Sequence, residues 1–506
     1  MKRNVENYIL LSMRHMKNSD DYIPRSKKDL IKEEFGFEIP VKNVLTKKLE
    51  TQNSEQRIDK YSGTETTECI YTWQEVEENV ESYLPNISTA LKIALAVATS
   101  GSRKNRVMLW LLLVGSPSSG KTDLVRLFKK SVAVFSLDNL TLNAFISGER
   151  PTEKQQVYDL LPKLNGKCLI VKDWTVVFSL DERMTKKIIG DMVGAYDKSL
   201  AKFSSRRGNI TYDSEFSHIG CITPATLNKH HNYLNMIGPR FLGYIIPDLS
   251  EEDEKKSFDA IFSNENRNEK EKLVVEIVSK YLDNLNSRDI NLIKPLSKQV
   301  QEYLITASKF MAQARGIIIT KAAKFTNEDG KEIAYYEQLE RQIEQPWRGV
   351  QQLMILSKYL ALVVGKNEVG VDECKIIKEI VISSMPADRA QAVRVLQNYE
   401  KGEITAKQLS EKVDKSAKTS RRLLDELSFL GIVEKAKGSG TIASFYNFVD
   451  KFKAFLTAHP REFMSNKVEV VKNNPNNRIG ELDKEYLSTL SVSEQAKYIE
   501  SKWDEL

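Results

Sequence analysis

The pattern of apolar and polar positions divides the chain into segments of different period. Between about residues 84 and 247, apolar residues at helical spacing alternate with short apolar runs, such as residues 107–114 and 168–171. Short apolar runs predict buried strands, whereas apolar residues that recur every three or four positions predict amphipathic helices. Because helices and strands alternate in this segment, we predict an α/β core with a mainly parallel sheet.

The segments outside this core have other patterns. Residues 1–82 are polar and predict a small, mostly helical N-terminal accessory domain, whereas residues 251–398 carry long amphipathic patterns and predict a helical lid. Residues 399–450 predict a helix-turn-helix followed by a two-stranded wing. Residues 451–506 predict a polar C-terminal tail. The predicted core therefore covers residues 83–250.

Composition and charge narrow the class of protein. Apolar residues make up 41% of the 506 positions and charged residues 28%, as in ordinary globular proteins. The net charge of +6 is compatible with a nucleic-acid partner. The four cysteines lie far apart, which predicts neither a zinc site nor a disulfide framework. No apolar run has the length of a membrane span, and the first residues contain no apolar segment of the length found in signal peptides. We therefore expect a cytoplasmic protein without a membrane partner.

A glycine-rich loop follows the apolar run at residues 107–114. It has the pattern G-x-x-x-x-G-K-[ST] between a predicted strand and a predicted helix, the context in which this pattern marks a phosphate-binding loop. Glycines let backbone N–H groups face the phosphates, the lysine reaches the outer phosphates, and the last hydroxyl can bind Mg²⁺. We therefore predict that ATP and Mg²⁺ bind at Gly115, Ser116, Pro117, Ser118, Ser119, Gly120, Lys121 and Thr122.

The second apolar run, at residues 168–171, ends in Lys172 and Asp173. In an ATPase, a strand at this place supplies one carboxylate that orients Mg²⁺ and a second that polarises the attacking water. Two registers are open: Asp173 is on the metal side and Trp174 stands where the second carboxylate is expected, or Lys172 is on the metal side and Asp173 activates water. In either register Asp173 is the surviving carboxylate, and Thr175 adds a hydroxyl beside it.

Two arginines are candidates for stabilising charge during phosphoryl transfer. Arg240 follows Gly-Pro and precedes an apolar segment, and an arginine at such a loop can stabilise the charge that develops on a neighbouring copy's γ-phosphate. Arg348 follows a proline in the first turn of a predicted helix, from which it can return to the bound nucleotide. Thr223, or alternatively Asn228, is the candidate sensor of the γ-phosphate.

Basic residues cluster in two segments that predict DNA binding. The first is a predicted hairpin whose basic tip can follow a phosphate backbone, and its candidate residues are Lys202, Arg206 and Arg207. The second is the helix-turn-helix, whose cations lie where a reader of the DNA major groove has its contacts, and on the wing. The candidate residues there are Lys415, Lys418, Thr419, Arg421, Arg422, Lys435 and Lys437.

The chain resembles the MCM-like AAA+ replicative helicases, in particular those carried by bacterial mobile elements such as staphylococcal cassettes and pathogenicity islands. The resemblance covers residues 84–448 and rests on the order of the phosphate loop, the strand that ends in Lys172 and Asp173, the basic hairpin, the segments around Arg240 and Arg348, and the winged helix. It implies an AAA+ core with a helical lid and a hexameric ring that hydrolyses ATP. It also implies single-stranded DNA in the ring pore, duplex DNA at the winged helix, and a role in element or phage replication, with a possible replication partner protein.

The chain departs from this family in two respects. The family has a large N-terminal collar that often binds zinc, whereas residues 1–82 have the size of one small domain and no cysteine pair. The usual Asp-Glu pair is replaced by Lys172 and Asp173. Two other functions therefore stay open: a nucleotide-switched DNA-binding regulatory or signalling ATPase without unwinding activity, and a DNA-binding scaffold whose nucleotide only assembles the ring.

Overall fold

The computed structural model describes residues 71–150, 152, 158–230, 240–262, 267–326, 332–399, 403–436 and 444–465. The chain divides into two compact units, Met1–Thr67 and Glu68–Leu506, and the described residues belong to the second. The predicted N-terminal domain lies outside the described residues up to position 70, and so does the predicted tail beyond position 465.

Strands and helices alternate in the first half of this unit, and helices dominate the second half. The strands are β1 (Trp110–Val114), β2 (Val134–Leu137), β3 (Cys168–Val171), β4 (Ser199–Ser204), β5 (Gly208–Asp213), β6 (Ser217–Ile222), β7 (Phe241–Ile245), β8 (Ile317–Thr326), β9 (Glu332–Gln342), β10 (Ile404–Thr405), β11 (Val433–Ala436) and β12 (Phe445–Phe448). The helices are α1 (Trp73–Glu81), α2 (Ser88–Ser100), α3 (Lys121–Arg126), α4 (Leu161–Leu164), α5 (Trp174–Phe178), α6 (Glu182–Tyr196), α7 (Pro224–Lys229), α8 (Glu251–Phe262), α9 (Arg267–Ser287), α10 (Lys298–Ala314), α11 (Trp347–Val363), α12 (Val371–Ser383), α13 (Ala387–Gln397), α14 (Ala406–Val413), α15 (Ala417–Phe429) and α16 (Asp450–Thr457).

A five-stranded parallel sheet forms the centre, with the strand order β2-β3-β6-β1-β7. Val114, the last residue of β1, lies beside Ile222 of β6 and Ile245 of β7, so the carboxyl ends of these strands meet at one edge. Every residue of β1, β3 and β6 is buried, as expected for strands covered on both faces. The predicted α/β core with a parallel sheet is therefore confirmed.

Successive side chains of β1 enter two different cores because strand residues point alternately to the two faces of a sheet. Leu111 and Leu113 belong to the core that contains α2. Trp110 and Leu112 belong to the core that contains α6, where Trp110 meets the Tyr196 ring edge-on at a centroid distance of 4.9 Å. Helices therefore cover both faces of the sheet.

Three segments form structure or packing that the predicted domain organisation did not include. Helix α1, at the end of the predicted N-terminal domain, buries Val76 and Val80 in the core that contains α2. The predicted helical lid also contains an antiparallel ribbon, β8 with β9. The start of the predicted polar tail forms α16, whose Phe452 and Phe455 are buried against Phe310 of α10. In the first and third cases a short amphipathic pattern lies within a polar sequence, and packing on distant helices stabilises it.

Within the second compact unit, residues 403–436 and 444–448 form a smaller group of elements, called here the C-terminal unit. The C-terminal unit combines α14 and α15 with a three-stranded antiparallel sheet of order β10-β12-β11. The hydroxyls of Thr405 and Ser416 cap α14 and α15 by accepting backbone N–H groups. Arg389 of α13 donates a hydrogen bond to Glu426 of α15 at 3.2 Å, which joins the unit to the helices before it. The predicted wing residue Lys437 lies outside the described residues.

Candidate functional site

The predicted phosphate loop begins where β1 ends. Gly115 donates its N–H to the carbonyl of Ile222 at 3.2 Å, which ties the loop to β6. Ser118 and Gly120 have left-handed backbone conformations, with φ of 64° and 77°, a region that favours glycine. A Cβ on Gly115 would lie 2.5 Å from the Ser119 hydroxyl. The geometry of the loop therefore explains both glycines of the motif.

Lys121 is buried at the start of α3, with 8% of its surface exposed. Its ammonium donates to the carbonyls of Gly115 and Ser116 at 2.7 and 2.6 Å. Burial lowers the pKa of Lys121, and the nearby Asp173 carboxylate acts in the opposite direction. The loop thus holds a cation that is partly removed from water, where its interaction with an anion is stronger than at an exposed surface.

Asp173 and Lys172 turn toward different neighbours at the end of β3. The Asp173 carboxylate accepts the Thr175 N–H at 2.8 Å and interacts electrostatically with Lys121. Lys172 instead donates to Asp138, which follows β2, at 2.9 Å. Because Lys172 turns toward Asp138 and Asp173 interacts with Lys121, this geometry favours the register in which Asp173, and not Lys172, is on the metal side.

Trp174 stands where a second carboxylate was expected, and its side chain is fully buried. Its indole N–H donates to Nε2 of His218 at 3.1 Å, and Nδ1 of His218 meets the Leu169 carbonyl at 2.9 Å. Burial lowers the pKa of His218 to about 3, so the ring is neutral. Trp174 therefore packs against β6 in the core. Because it is fully buried, it cannot contact a ligand at the carboxyl ends of the strands.

Threonine hydroxyls gather at the carboxyl ends of β3 and β6. The hydroxyl of Thr226 lies 2.9 Å from that of Thr223 and 3.5 Å from that of Thr175. Thr223 also caps α7. Sequence reasoning missed Thr226, although its place three residues after the capping Thr223 is a usable signal. The side chain of Asn228, the alternative sensor, lies outside the part of the chain that the structure describes.

An acidic residue that sequence reasoning missed also contacts the loop. Asp248 follows β7 and accepts a hydrogen bond from the Ser116 hydroxyl at 3.2 Å. A second missed residue is Cys221 of β6. Its Sγ lies 3.7 Å from the Lys121 carbonyl oxygen, and burial raises the pKa of its thiol to about 12. No local motif marks either residue, because each reaches the loop only through the strand order of the sheet.

Arg240 and Arg348 lie together at the opposite edge of the sheet. Their guanidinium groups are 5.5 and 5.7 Å from the centre of the Tyr196 ring, and Arg240 pairs with Asp197 at 3.2 Å. The Tyr196 hydroxyl donates to the carbonyl of Met108, just before β1, at 3.0 Å. In this single chain α11 begins at the edge away from the loop, beside Tyr196. The expectation that Arg348 returns to the bound nucleotide stays a prediction.

The predicted hairpin forms from β4 and β5, but its cations are not equivalent. Lys202 pairs with Asp191, and Arg207 pairs with Asp159 at 2.7 Å. Arg206 is exposed at the tip and forms no ion pair with the described residues. Of the predicted backbone-binding residues, two are thus neutralised by carboxylates of the same chain.

The cations of the C-terminal unit divide in the same way. Lys415 pairs with Asp388 at 3.0 Å, Arg422 with Glu426 at 3.6 Å, and Lys435 with Asp425 at 2.7 Å. Thr419 shares a hydroxyl contact with Ser416 at the start of α15. Two exposed side chains on the same helix make no ion pair with the described residues, and these are Lys418 and Arg421.

The edge of the sheet at which the phosphate loop begins, called here the loop edge, carries residues that fit ATP and Mg²⁺. Lys121 and the backbone of the loop supply positive groups for phosphates. Thr122 and Asp173 offer oxygen ligands, and Mg²⁺ is usually held by one or two carboxylates together with substrate phosphates. Within the described residues, no three His, Cys, Asp or Glu side chains form a metal cluster, and no helix is long and apolar enough to cross a membrane.

No protein-family model matches the chain, and no curated protein shows significant similarity to it. The functional assignment therefore rests on the residues and geometry described above.

Proposed function

We propose that the chain is an ATP-dependent DNA motor, an AAA+ ATPase of the MCM-like helicase type that works as a ring. The observation that carries this proposal is the division of charged groups between the edges of the parallel sheet. Lys121 and Asp173 lie at the carboxyl edge, whereas Arg240 lies before the first residue of β7, at the amino edge. A second copy of the chain could bring its amino edge to the carboxyl edge of the first.

Within one copy, the residues at the loop edge have distinct roles in this proposal. Lys121 binds the outer phosphates of ATP, and Thr122 and Asp173 hold Mg²⁺, which neutralises charge on the phosphates. Thr223 and Thr226 are positioned to orient water or the terminal phosphate by hydrogen bonds. Trp174 and His218, which are joined by a hydrogen bond in the core, keep the ends of β3 and β6 rigid.

Arg240 belongs to the site of a neighbouring copy because it is too far from its own loop. The five residues of β1 separate the two edges, and at about 3.3 Å per residue this is roughly 15 Å, beyond the reach of an arginine side chain. Arg348 lies beside Arg240 and shares this role. Such an arrangement is head-to-tail, and it closes into a ring, for which we expect six copies.

The C-terminal unit is the proposed contact with duplex DNA. Its capped helices and antiparallel strands agree with a winged helix, and α15 would enter the major groove with Lys418 and Arg421 exposed. A replication partner and a cytoplasmic location stay predictions.

ATP turnover with and without single-stranded DNA tests the motor. We expect DNA to raise the turnover of the wild type, and Lys121→Ala and Asp173→Asn to lose about a hundredfold or more, since each removes a group that acts on the phosphates or the metal. Lys172→Ala is the matched control at the same strand end, and it should keep most of the activity because Lys172 faces Asp138. Unchanged turnover in Asp173→Asn would contradict the proposal.

Mixing two inactive variants tests whether Arg240 acts on a neighbouring copy. Lys121→Ala and Arg240→Ala should each be inactive alone, but a mixture should recover activity at about one quarter of the interfaces, because random assembly joins an intact loop to an intact arginine at that frequency. No recovery, with ring formation intact, would mean that Arg240 does not complete a neighbour's site.

A DNA-binding scaffold whose nucleotide only assembles the ring is the second candidate. It is favoured by the strand end itself, where Trp174 is buried and Lys172 is paired, so that Asp173 is the one carboxylate of its segment that serves the loop. ATP-dependent assembly without turnover would support it.

A further inference from the structure

A cavity of about 330 Å³ lies beside β7, the edge strand of the central sheet. This volume is at the lower end of the range for small-molecule sites, which are mostly apolar and contain a few placed polar groups. The end of α12 forms one wall, and it approaches β7 so closely that a Cβ on Gly243 would lie 2.5 Å from the carbonyl oxygen of Ser383. The apolar lining includes Leu112, Leu227, Phe241, Ile317 and Met385.

A pair of opposite charges, Arg315 and Glu344, lies among these apolar side chains. Nε of Arg315 donates to the carbonyl of Ser384 at 3.0 Å, and Nη2 donates to the carbonyl of Phe241 at 2.7 Å. Nη1 of the same guanidinium lies 3.6 Å from Oε1 of Glu344, which is too long for a hydrogen bond. Burial raises the pKa of Glu344, an effect that the charge of Arg315 opposes. The two side chains therefore compensate each other's charge away from water.

Each member of this pair has one buried polar atom that is not satisfied. Nη1 of Arg315 and Oε2 of Glu344 make no hydrogen bond with the residues that the structure describes. Buried donors and acceptors normally have a partner, because leaving them unsatisfied is destabilising. The Ser384 hydroxyl on the same wall is satisfied, since it donates to the carbonyl of Ile380 at 2.6 Å and accepts the N–H of Gly243 at 2.8 Å. The charged pair thus offers one donor and one acceptor to a ligand in the cavity.

We propose that this cavity binds a small neutral molecule that carries an amide group on an apolar body. The ligand carbonyl accepts from Nη1 of Arg315, its N–H donates to Oε2 of Glu344, and its apolar body packs on the side chains that line the cavity. An amide fits because it has an acceptor and a donor next to each other. A charged ligand fits less well, because the charges of Arg315 and Glu344 are already compensated and a further buried charge is costly.

The cavity is separate from the nucleotide site. Of the described residues that line it, none belongs to the phosphate loop at positions 115–122. Binding of the amide is therefore expected to be independent of ATP and of the motor activity proposed above.

Titration of the full chain with para-fluorobenzamide, followed by fluorine NMR, tests the cavity. This probe has a primary amide on an apolar ring, and we expect saturable binding. The N,N-dimethyl derivative has no N–H donor and para-fluorobenzoate is an anion, so each should bind about tenfold more weakly or less, since a hydrogen bond to a charged group is lost. Saturating ATP with Mg²⁺ should leave the affinity for para-fluorobenzamide unchanged. Absence of saturable binding, equal binding of the three probes, or displacement by ATP would each overturn the proposal.

Two substitutions on β8 form a matched pair that locates the bound probe. Ile317 lines the cavity, whereas Ile319 is 45% exposed on the same strand. Ile317→Phe should abolish binding because the larger ring fills the cavity, and Ile319→Phe should bind as the wild type does. Denaturant titration checks that both variants are folded. Glu344→Gln keeps the size of the side chain but removes the charged acceptor, and it should weaken binding about tenfold. Binding of wild-type strength in Ile317→Phe or in Glu344→Gln would show that the amide does not occupy this cavity as proposed.

Discussion

Lys121 and Arg207 are both cations in segments whose sequence predicts contact with phosphate, but the protein surrounds them differently. Backbone carbonyls of its own loop accept the hydrogen bonds of Lys121. The guanidinium of Arg207 is held by the carboxylate of Asp159, which lies 48 positions away along the chain. The loop is thus defined by local backbone geometry, whereas the charge of the hairpin is defined by which acidic residues fold against it.

This difference explains why the two kinds of site are unequally visible in a sequence. A phosphate loop needs left-handed residues and a lysine within eight consecutive positions, so the motif contains most of the site. A basic cluster needs its charges to stay unpaired, and no pattern within the cluster reports this. At the hairpin, pairing leaves Arg206 as the exposed cation among the predicted residues.

Gly220→Ala has the largest expected effect and tests the packing below the loop edge. A Cβ at this position would overlap the indole nitrogen of the buried Trp174. Overpacking a rigid core should lower the free energy of unfolding by about 3 kcal/mol, measured by denaturant titration. Gly190→Ala in α6 is the control, because nothing lies within 4 Å of its added Cβ. Equal stability of the two variants would contradict the packing described for Trp174.

His218 makes the same packing sensitive to pH. Burial lowers its pKa to about 3 from an ordinary value of 6.5, so between these values the unfolded chain binds a proton that the folded chain does not. The free energy of unfolding should therefore fall as the pH decreases, by about 1.4 kcal/mol per unit, or about 2 kcal/mol from pH 6.5 to 5. Denaturant titrations of the wild type and His218→Gln measure the difference. The same slope in both would show that His218 is not the titrating group.

The strands of the core could be predicted because their apolar runs are uninterrupted, as at Trp110–Val114 and Cys168–Val171. The strand order could not be predicted, since it depends on which strands pair with each other in the folded sheet. For this reason Thr226 and Asp248, which meet the predicted residues only at the carboxyl edge, were missed. The position of Arg348 could not be predicted for a related reason: its helix was recognised, but the end of the sheet at which that helix begins is not encoded locally.

The neighbouring arginines Arg206 and Arg207 test the distinction between exposed and paired cations directly. The Asp159 side chain is 3% exposed and accepts hydrogen bonds from Arg207 and Tyr212 at 2.7 and 2.8 Å. The hydrogen bond to Asp159 also raises the pKa of Arg207. Arg207→Ala leaves a buried carboxylate without its cation and should cost about 2 kcal/mol, less than a fully buried pair because Arg207 is partly exposed. Arg206→Ala should change the free energy of unfolding by less than about 0.5 kcal/mol. Similar losses in both variants would remove the distinction.

The C-terminal unit allows the smallest and most specific test, since exposed and paired cations occur there within one fold. Removing Lys418 and Arg421 together should weaken binding to duplex DNA about tenfold and lower the magnitude of the salt slope by about 1.8, because two phosphate contacts are lost. The matched double variant removes Lys415 and Lys435, whose ammonium groups already bind Asp388 and Asp425. It should change affinity by less than about twofold, because those charges are largely compensated before DNA arrives. If both double variants lose affinity equally, exposed ion pairs exchange their carboxylates for phosphates at little cost. The number of basic residues, rather than their pairing, would then predict the DNA contact.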